Sequence, residues 1–188
     1  MKREGKSNGT QIKIIFWLLS AGFLAFFVCV IVAPIRAAKA KADEMNCCNH
    51  IKDLAVEMRI YESDNGDTFP PVNGWCDALI ENGTNQPSPR ILSFRCPAAS
   101  KKQTCGYTIN SNLGNVMDTT QIPGDTVVLF ESDAGWNSAG GHTNAVARHY
   151  GSRLLVAFAD GSVKDVKLGE LEKLRWIPAT NATRDEVK

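Results

Sequence analysis

The chain has 188 residues, of which 44% are hydrophobic and 22% are charged, and its formal net charge is +1. This composition is typical of a folded protein and excludes a disordered chain. The near balance of 21 basic and 20 acidic side chains argues against a nucleic-acid-binding protein, which would carry a clear basic excess. The length favours one modest domain.

An apolar run without any formal charge covers residues 14–35, between Lys13 and Arg36. A helix of this length spans the roughly 30 Å hydrocarbon core of a bilayer. The apolar part of a cleaved signal peptide is shorter, about 7–15 residues, and ends at a small-residue cleavage site. We therefore predict an uncleaved transmembrane helix over 14–35, preceded by a basic tail over 1–13, with Pro34 marking a kink.

The orientation of this helix does not follow from charge alone. Four Lys or Arg side chains precede the apolar run and four follow it within about 20 residues, so the positive-inside rule favours neither direction. The short first tail favours a cytoplasmic N-terminus, and the cysteines of the larger part favour an oxidising exterior. We predict that the large C-terminal part lies outside the cytoplasm.

The helical pattern continues beyond the apolar run. Good helix formers follow Arg36, and apolar side chains recur on one helical face from Ile51 to Tyr61. Turn-forming residues cluster at 63–67 and end the pattern. We predict an amphipathic helical extension over 36–63, whose apolar face packs on the head.

The predicted head covers residues 64–178. Its first part, 70–111, is rich in loop-forming residues. Residues 126–131 form a β-prone apolar run, and 154–167 form a hairpin in which Asp160-Gly161 suits a type I′ turn. A long membrane-spanning helix that continues into a small head with an antiparallel β-sheet is an α+β fold. Two further elements complete the prediction: a short helical turn over 169–174 and a flexible tail over 179–188.

The order of several short motifs resembles that of type IV pilins and type II secretion pseudopilins. An apolar N-terminal helix with Pro34 near its end continues into the helix that begins Cys48-Asn-His-Ile-Lys. Asp64-Asn-Gly and Phe69-Pro-Pro follow, as in a bacterial branch of the pseudopilin (G-type) family with a prepilin-type processing-associated C-terminal domain. The resemblance covers most of the chain after the apolar run.

A histidine, nine residues and Asp-Gly mark the C-terminal domain of that branch. Here His149 and Asp160-Gly161 are the matching residues, although ten residues separate them. The resemblance implies a pilin-like head on a helix in the bacterial cytoplasmic membrane, with a cytoplasmic N-terminus. It also implies the lipid bilayer and pilin-like or secretion-system proteins as partners, no enzymatic activity and no small-molecule substrate.

The start of the apolar run departs from the family pattern. Prepilins carry a glycine cleavage point followed by Phe-Thr-Leu-Ile-Glu, and the glutamate assists fibre assembly. This chain has Gln11-Ile-Lys-Ile-Ile-Phe-Trp-Leu there, without the glycine and without an intramembrane carboxylate. We therefore expect that prepilin peptidase does not process the chain, which then has a structural or accessory role.

The cysteines predict disulfides in the head. Five of the six cysteines follow the apolar run, and an odd number cannot pair completely. Cys96 and Cys105 bracket a short loop, so we predict a disulfide between them. Cys76 remains for either Cys47 or Cys48, because adjacent helical residues point about 100° apart and only one can face it.

The sequence predicts no cofactor and no catalytic residue. It lacks the Cys-x-x-Cys spacing of common zinc sites, and nothing joins a cysteine to a histidine base. An oxygen-rich loop offers a candidate calcium site, although turns stabilised by Asx hydrogen bonds explain the same residues better. With that loop, the alternative function is an extracytoplasmic cation- or glycan-binding module on the same anchor. The calcium candidates are Glu131, Asp133, Asn137 and Asp160.

Overall fold

The structure is a computed structural model that describes residues 7–84, 93–116 and 118–178. The chain divides into two compact units, residues 1–42 and 43–188, which are described separately below. The predicted tail at 179–188 and residues 1–6 of the basic tail lie outside the described residues.

The described part of the first unit, residues 7–42, is helical. Helix α1 (Ser7–Phe27) leads into a π-helical turn (Val28–Val32) and then into helix α2 (Ala33–Asp64). The π turn lies directly before Pro34, where the ring removes an N–H donor and displaces the carbonyl four residues earlier. The expected irregularity at Pro34 is therefore a local widening, and the helix continues beyond it.

The apolar part of this helix is long and apolar enough to cross a membrane, and none of that segment is buried. Large side chains such as Phe16 and Trp17 are more than 70% exposed. The core helix of a soluble protein would bury such side chains, so the exposure favours a lipid surrounding. One candidate membrane anchor thus exists in the part of the chain that the structure describes.

The second unit begins within α2 and contains the head. The buried face of α2 includes Cys47, Ile51, Leu54 and Met58, which recur at the predicted helical spacing. The helix ends at Asp64, close to the predicted boundary at residue 63. The amphipathic extension therefore belongs to the core of the head.

A second helix of the head, α3 (Trp75–Thr84), lies in the segment that was predicted to be rich in loops. Its first turn is capped from a distance: Oδ1 of Asn137 accepts hydrogen bonds from the N–H groups of Cys76 (2.9 Å) and Asp77 (3.3 Å). The residues of this helix therefore predict it only in part, because the side chain that caps its first turn comes from another loop.

The head contains a five-stranded sheet in the order β3-β1-β2-β4-β5. Three neighbouring pairs are antiparallel, but β1 and β3 are parallel, so the sheet is mixed and the prediction of an antiparallel sheet is only partly right. Residues with positive φ at Gly135 and Asn137 turn the chain after β2, so that β3 runs beside β1 in the same direction. The strands are β1 (Tyr107–Asn110), β2 (Val127–Glu131), β3 (Ala139–Gly140), β4 (Arg153–Phe158) and β5 (Val163–Lys167).

The predicted hairpin is confirmed as β4–β5, but its turn differs from the prediction. The N–H of Gly161 donates to the carbonyl of Phe158, and the N–H of Phe158 donates to the carbonyl of Ser162, both at 2.9 Å. Only Gly161, at φ +81°, is in the left-handed region, whereas a type I′ turn also needs a positive φ at Asp160. The connection is therefore a longer turn closed by a glycine bulge.

Both faces of the sheet are covered. Along β4, Leu155 and Ala157 join the cluster that contains the α2 and α3 core residues, while Leu154 and Val156 join a second cluster on the other face. This alternation is the two-residue period of a strand. The second face is closed by a 3₁₀ helix (Leu168–Lys173), near the predicted helical turn, and by Trp176.

Candidate functional site

Four side chains from distant parts of the sequence meet inside the head. Cys47 lies on α2, Cys96 before β1, Glu131 at the end of β2 and His149 before β4. The sulfur, carboxylate and ring nitrogen atoms that they offer all lie within 4.8 Å of one another. Within the described residues, this buried cluster is the one group of three or more such side chains with this geometry.

A disulfide joins two members of the buried cluster, Cys47 and Cys96, which are 49 residues apart in sequence. The predicted Cys96–Cys105 disulfide is therefore wrong. Cys105 instead directs its thiol towards the carbonyl of Tyr107 (3.2 Å), and its sulfur accepts from the thiol of Cys76 (4.0 Å). A short separation in sequence brings two cysteines close, but the backbone between them decides where the side chains point.

The prediction that Cys76 pairs with Cys47 or Cys48 is also wrong, because Cys47 is bonded to Cys96 and both Cys76 and Cys48 are unbonded. Cys48 is half-buried and unbonded next to it, as expected from the angle between adjacent helical residues. The expected covalent link between helix and head is present, but with a different partner.

Glu131 and His149 form a buried ion pair beside the disulfide. Nε2 of His149 lies 3.0 Å from each carboxylate oxygen of Glu131. The N–H of Leu155 donates to Oε2 at 2.9 Å, and the sulfur of Cys96 lies 3.2 Å from Oε1. A fully buried carboxylate is tolerated because a cation and a main-chain donor satisfy it.

The charge of Glu131 governs nearby titrations. Burial by itself lowers the pKa of His149, but the hydrogen bond and the negative charge of Glu131 outweigh it and raise the pKa above its usual value. Burial and the same carboxylate raise the pKa of Tyr107. The folded head therefore holds a proton on His149 more tightly than water does.

Arg148, which was not among the predicted site residues, supports the chain next to His149. Its guanidinium donates to the carbonyl of Ser132 (2.6 Å) and to that of Gly106 (3.4 Å), and it pairs with Asp133. In the sequence, the feature that could have indicated this role is the Arg-His dipeptide shortly before a predicted strand. Arg148 therefore anchors the segment that brings His149 to Glu131.

The residues of the Asp-Gly motif have a conformational role. Asp160 and Gly161 form the β4–β5 turn, where Oδ1 of Asp160 accepts the N–H of Ser162 at 2.8 Å. The N–H of His149 donates to the carbonyl of Arg153 at 3.0 Å, just before β4 begins. The residues between His149 and Asp160 therefore consist mainly of a turn and of strand β4.

The four calcium candidates have different partners. Glu131 faces His149, Asp133 pairs with Arg148, and Asn137 caps α3 while its Nδ2 donates to Asp77. Asp160 lies in the hairpin turn. Turns and caps thus account for the oxygen-rich loop, and Glu131 is the one candidate that belongs to the buried cluster.

Cys76 and Cys105 form a separate pair of buried, unbonded thiols. Hydrogen bonding to Cys105 and burial raise the pKa of Cys76, so it remains a thiol at neutral pH. The main-chain N–H of Asn137 lies 3.4 Å from the same sulfur. These two thiols lie outside the buried cluster and can serve as controls in experiments on its cysteines.

Comparison of the chain with protein-family models, with curated proteins and with solved structures gives no match. The geometry of the head therefore carries the argument about function. The buried cluster combines a covalent bond, between α2 and the segment before β1, with an ion pair, between β2 and the segment before β4. Such an arrangement fastens the helix to the sheet.

Proposed function

We propose that this chain is a non-enzymatic, single-pass protein of the bacterial cytoplasmic membrane with a pilin-like structural or assembly role. Its N-terminus would be cytoplasmic and its head extracytoplasmic. The observation that carries the proposal is that two segments of one helix differ in burial. None of the segment without charge is buried, whereas one face of the segment from Cys47 to Glu62 is packed into the core of the head.

The attachment of α2 to the head supports a mechanical role. The Cys47–Cys96 disulfide is the covalent connection, and the hydroxyl of Tyr107 donates to the carbonyl of Cys47 at 3.1 Å. Nδ1 of His50 also lies 2.9 Å from the carbonyl of Arg95. Tension applied to α2 is therefore transmitted through a covalent bond to the segment before β1.

The burial of the polar cluster supports a non-enzymatic role. Both sulfurs and the Glu131 side chain are fully buried, and His149 is 9% exposed. A general base or nucleophile must reach its substrate, directly or through one water molecule. Groups enclosed in this way serve stability better than catalysis.

The disulfide and the apolar run support the proposed location and processing. Disulfides persist in oxidising compartments, which favours a head outside the cytoplasm. The run beginning at Gln11 lacks the glycine and the glutamate that prepilin peptidase and fibre assembly use in the family it resembles. We infer that the chain keeps its N-terminal segment.

Intact mass and topology test this proposal in membranes of a bacterial host. We expect the full chain to resist carbonate extraction and to retain residues 1–13. In spheroplasts, added protease should remove a C-terminal tag. Loss of about a dozen N-terminal residues would contradict the processing claim, and a protected tag would contradict the orientation.

A matched pair of variants tests the anchor itself. Leu24→Arg places a charge in the middle of the apolar run, at a cost of about 2.5–3.5 kcal/mol for insertion. Met45→Arg makes the same change at an exposed position of α2. We expect Leu24→Arg alone to reduce membrane association, and equal effects would contradict the anchor.

Crosslinking within the membrane tests the assembly role. A pilin-like subunit should give a ladder of crosslinked species, or crosslinks to a secretion-system protein, when amine-reactive reagents are added to intact cells. A chain that remains entirely monomeric under conditions that crosslink a known pilin would contradict an assembly role while leaving the anchor intact.

A further inference from the structure

We propose that the dithiol form of this protein binds one zinc ion through Cys47, Cys96, Glu131 and His149. The disulfide and the metal would then be alternative ways of fastening α2 to the sheet. This inference goes beyond the proposed function and does not depend on membrane location, since all four ligands belong to the head.

The donor set is the first argument. Two thiolates, one imidazole nitrogen and one carboxylate oxygen are ligands that zinc accepts, and four protein ligands are the number found in structural zinc sites. Such sites normally show Cys-x-x-Cys spacing, but the chemistry requires only that the atoms meet. Here they are brought together from α2, from β2 and from the segments before β1 and before β4.

The distances are the second argument. Zinc bonds of the usual lengths place tetrahedral ligand atoms about 3.3–3.8 Å apart. In the buried cluster Oε1 of Glu131 lies 3.2 Å from the sulfur of Cys96 and 3.0 Å from Nε2 of His149. Opening the disulfide separates the two sulfurs, so a tetrahedral arrangement needs only small movements of side chains that already face one centre.

The surroundings are the third argument. The N–H of Leu155 holds Oε2 of Glu131 at 2.9 Å, which orients the carboxylate and leaves Oε1 for a metal. The ligands are buried, so water is excluded and the site would be closed. A closed four-ligand site is structural rather than catalytic.

The exchange between the two forms balances with a dithiol as reductant. The reductant forms its own disulfide, and its two hydrogens pass to the sulfurs of Cys47 and Cys96. Zn²⁺ then displaces the two thiol protons and binds the neutral imidazole of His149. Two protons leave the thiols for each metal bound, a third leaves where His149 starts as an imidazolium, and no further oxidant or reductant is needed.

The test uses the full chain, purified in detergent, reduced with a dithiol and desalted without oxygen. Titration with Zn²⁺ and Co²⁺ should give one metal per chain. The Co²⁺ form should show thiolate-to-metal charge transfer in the near ultraviolet and intense visible bands typical of a tetrahedral site. Reoxidation to the disulfide should release the metal, and renewed reduction should restore binding.

Variants assign the ligands. We expect Cys96→Ser and His149→Gln to lose stoichiometric binding, whereas Cys105→Ser, which alters a buried thiol outside the cluster, should retain it. Circular dichroism of each variant checks the fold, and the redox comparison on the unaltered chain does not depend on any variant. Binding below one metal per chain, a Co²⁺ spectrum without thiolate bands, or loss in Cys105→Ser with retention in Cys96→Ser would overturn the proposal.

Discussion

Glu131 and His149 come from opposite ends of the connection between β2 and β4, yet Nε2 of the histidine lies 3.0 Å from both oxygens of the carboxylate. Their side chains are 0% and 3% exposed. Because neither charge has access to water, each depends on the other. The pair therefore holds the two ends of this connection together inside the folded core.

Removal of either charge should destabilise the head. We expect Glu131→Ala to lower the free energy of unfolding by about 3–5 kcal/mol, because it leaves a buried cation and an unpaired Leu155 N–H. Glu131→Gln should cost less, since the amide oxygen can still accept from Leu155. Denaturant unfolding followed by circular dichroism measures both effects.

An exposed ion pair provides the control for this prediction. The side chains of Arg175 and Asp125 are 41% and 62% exposed. Asp125→Asn should cost less than about 1 kcal/mol. If Glu131→Gln and His149→Gln prove strictly additive in a double-mutant cycle, the two side chains do not interact in the way described here.

Tryptic digestion without reduction checks the disulfide directly. Cleavage places Cys47 in peptide 42–52, Cys96 in 96–101 and Cys105 in 103–148. The three possible disulfides among these cysteines therefore give linked peptides of different mass. We expect peptides 42–52 and 96–101 to be linked. A link between 96–101 and 103–148 would show the pairing that the sequence favoured.

Loss of this disulfide should destabilise the head. A bond that closes a loop of 49 residues typically contributes about 2–4 kcal/mol, largely by restricting the unfolded chain. We expect Cys96→Ser to lower the free energy of unfolding by that amount. Cys48→Ser, at the neighbouring unbonded cysteine, should change it by less than about 0.5 kcal/mol and keep the peptides linked.

Substitutions at two glycines distinguish the effect of backbone conformation on stability from the effect of packing. A Cβ added at Gly161 or at Gly169 would meet no atom within 4 Å, but Gly161 alone has a positive φ, +81°. Gly161→Ala should therefore destabilise the head by about 1–2 kcal/mol. Gly169→Ala should be neutral or slightly stabilising, because alanine restricts the unfolded chain. Equal thermal shifts would contradict the assigned turn.

Glu62 predicts a pH dependence of stability. Burial raises the pKa of its carboxyl, and the charge of Asp67 adds to this, against the opposing effects of the Thr119 hydrogen bond and Arg59. A raised pKa means that the folded state favours the protonated carboxyl. The contribution of Glu62 is thus most favourable below its ordinary pKa of 4.5 and is lost as the pH rises through the higher folded-state value.

Glu62→Gln should accordingly raise the melting temperature at neutral pH, because the amide avoids burial of a charge. The gain should disappear below pH 4.5, where the carboxyl is protonated in both states. Glu81→Gln, at an exposed position of α3, is the control and should leave the melting temperature at neutral pH nearly unchanged. A neutral-pH loss of stability in Glu62→Gln would contradict the sign.

Several elements could be predicted because they depend on local pattern. The buried stripe from Ile51 to Met58 follows helical spacing, and the turn formers after Asp64 end α2 where they were expected to. The β4–β5 hairpin follows from two β-prone runs around Asp160-Gly161. Even there the local pattern suggested a type I′ turn, and the register between the strands required a longer one.

The sequence by itself determined the exposed apolar helix, its amphipathic continuation and the hairpin, because each depends on side chains a few residues apart. The tertiary structure decided the cap on α3 from Asn137, the parallel β1–β3 pair and the partner of Cys96. It also decided that Glu131 and His149 share a buried site with the disulfide. These contacts join residues tens of positions apart, and their geometry exists only once the sheet and α2 have packed together.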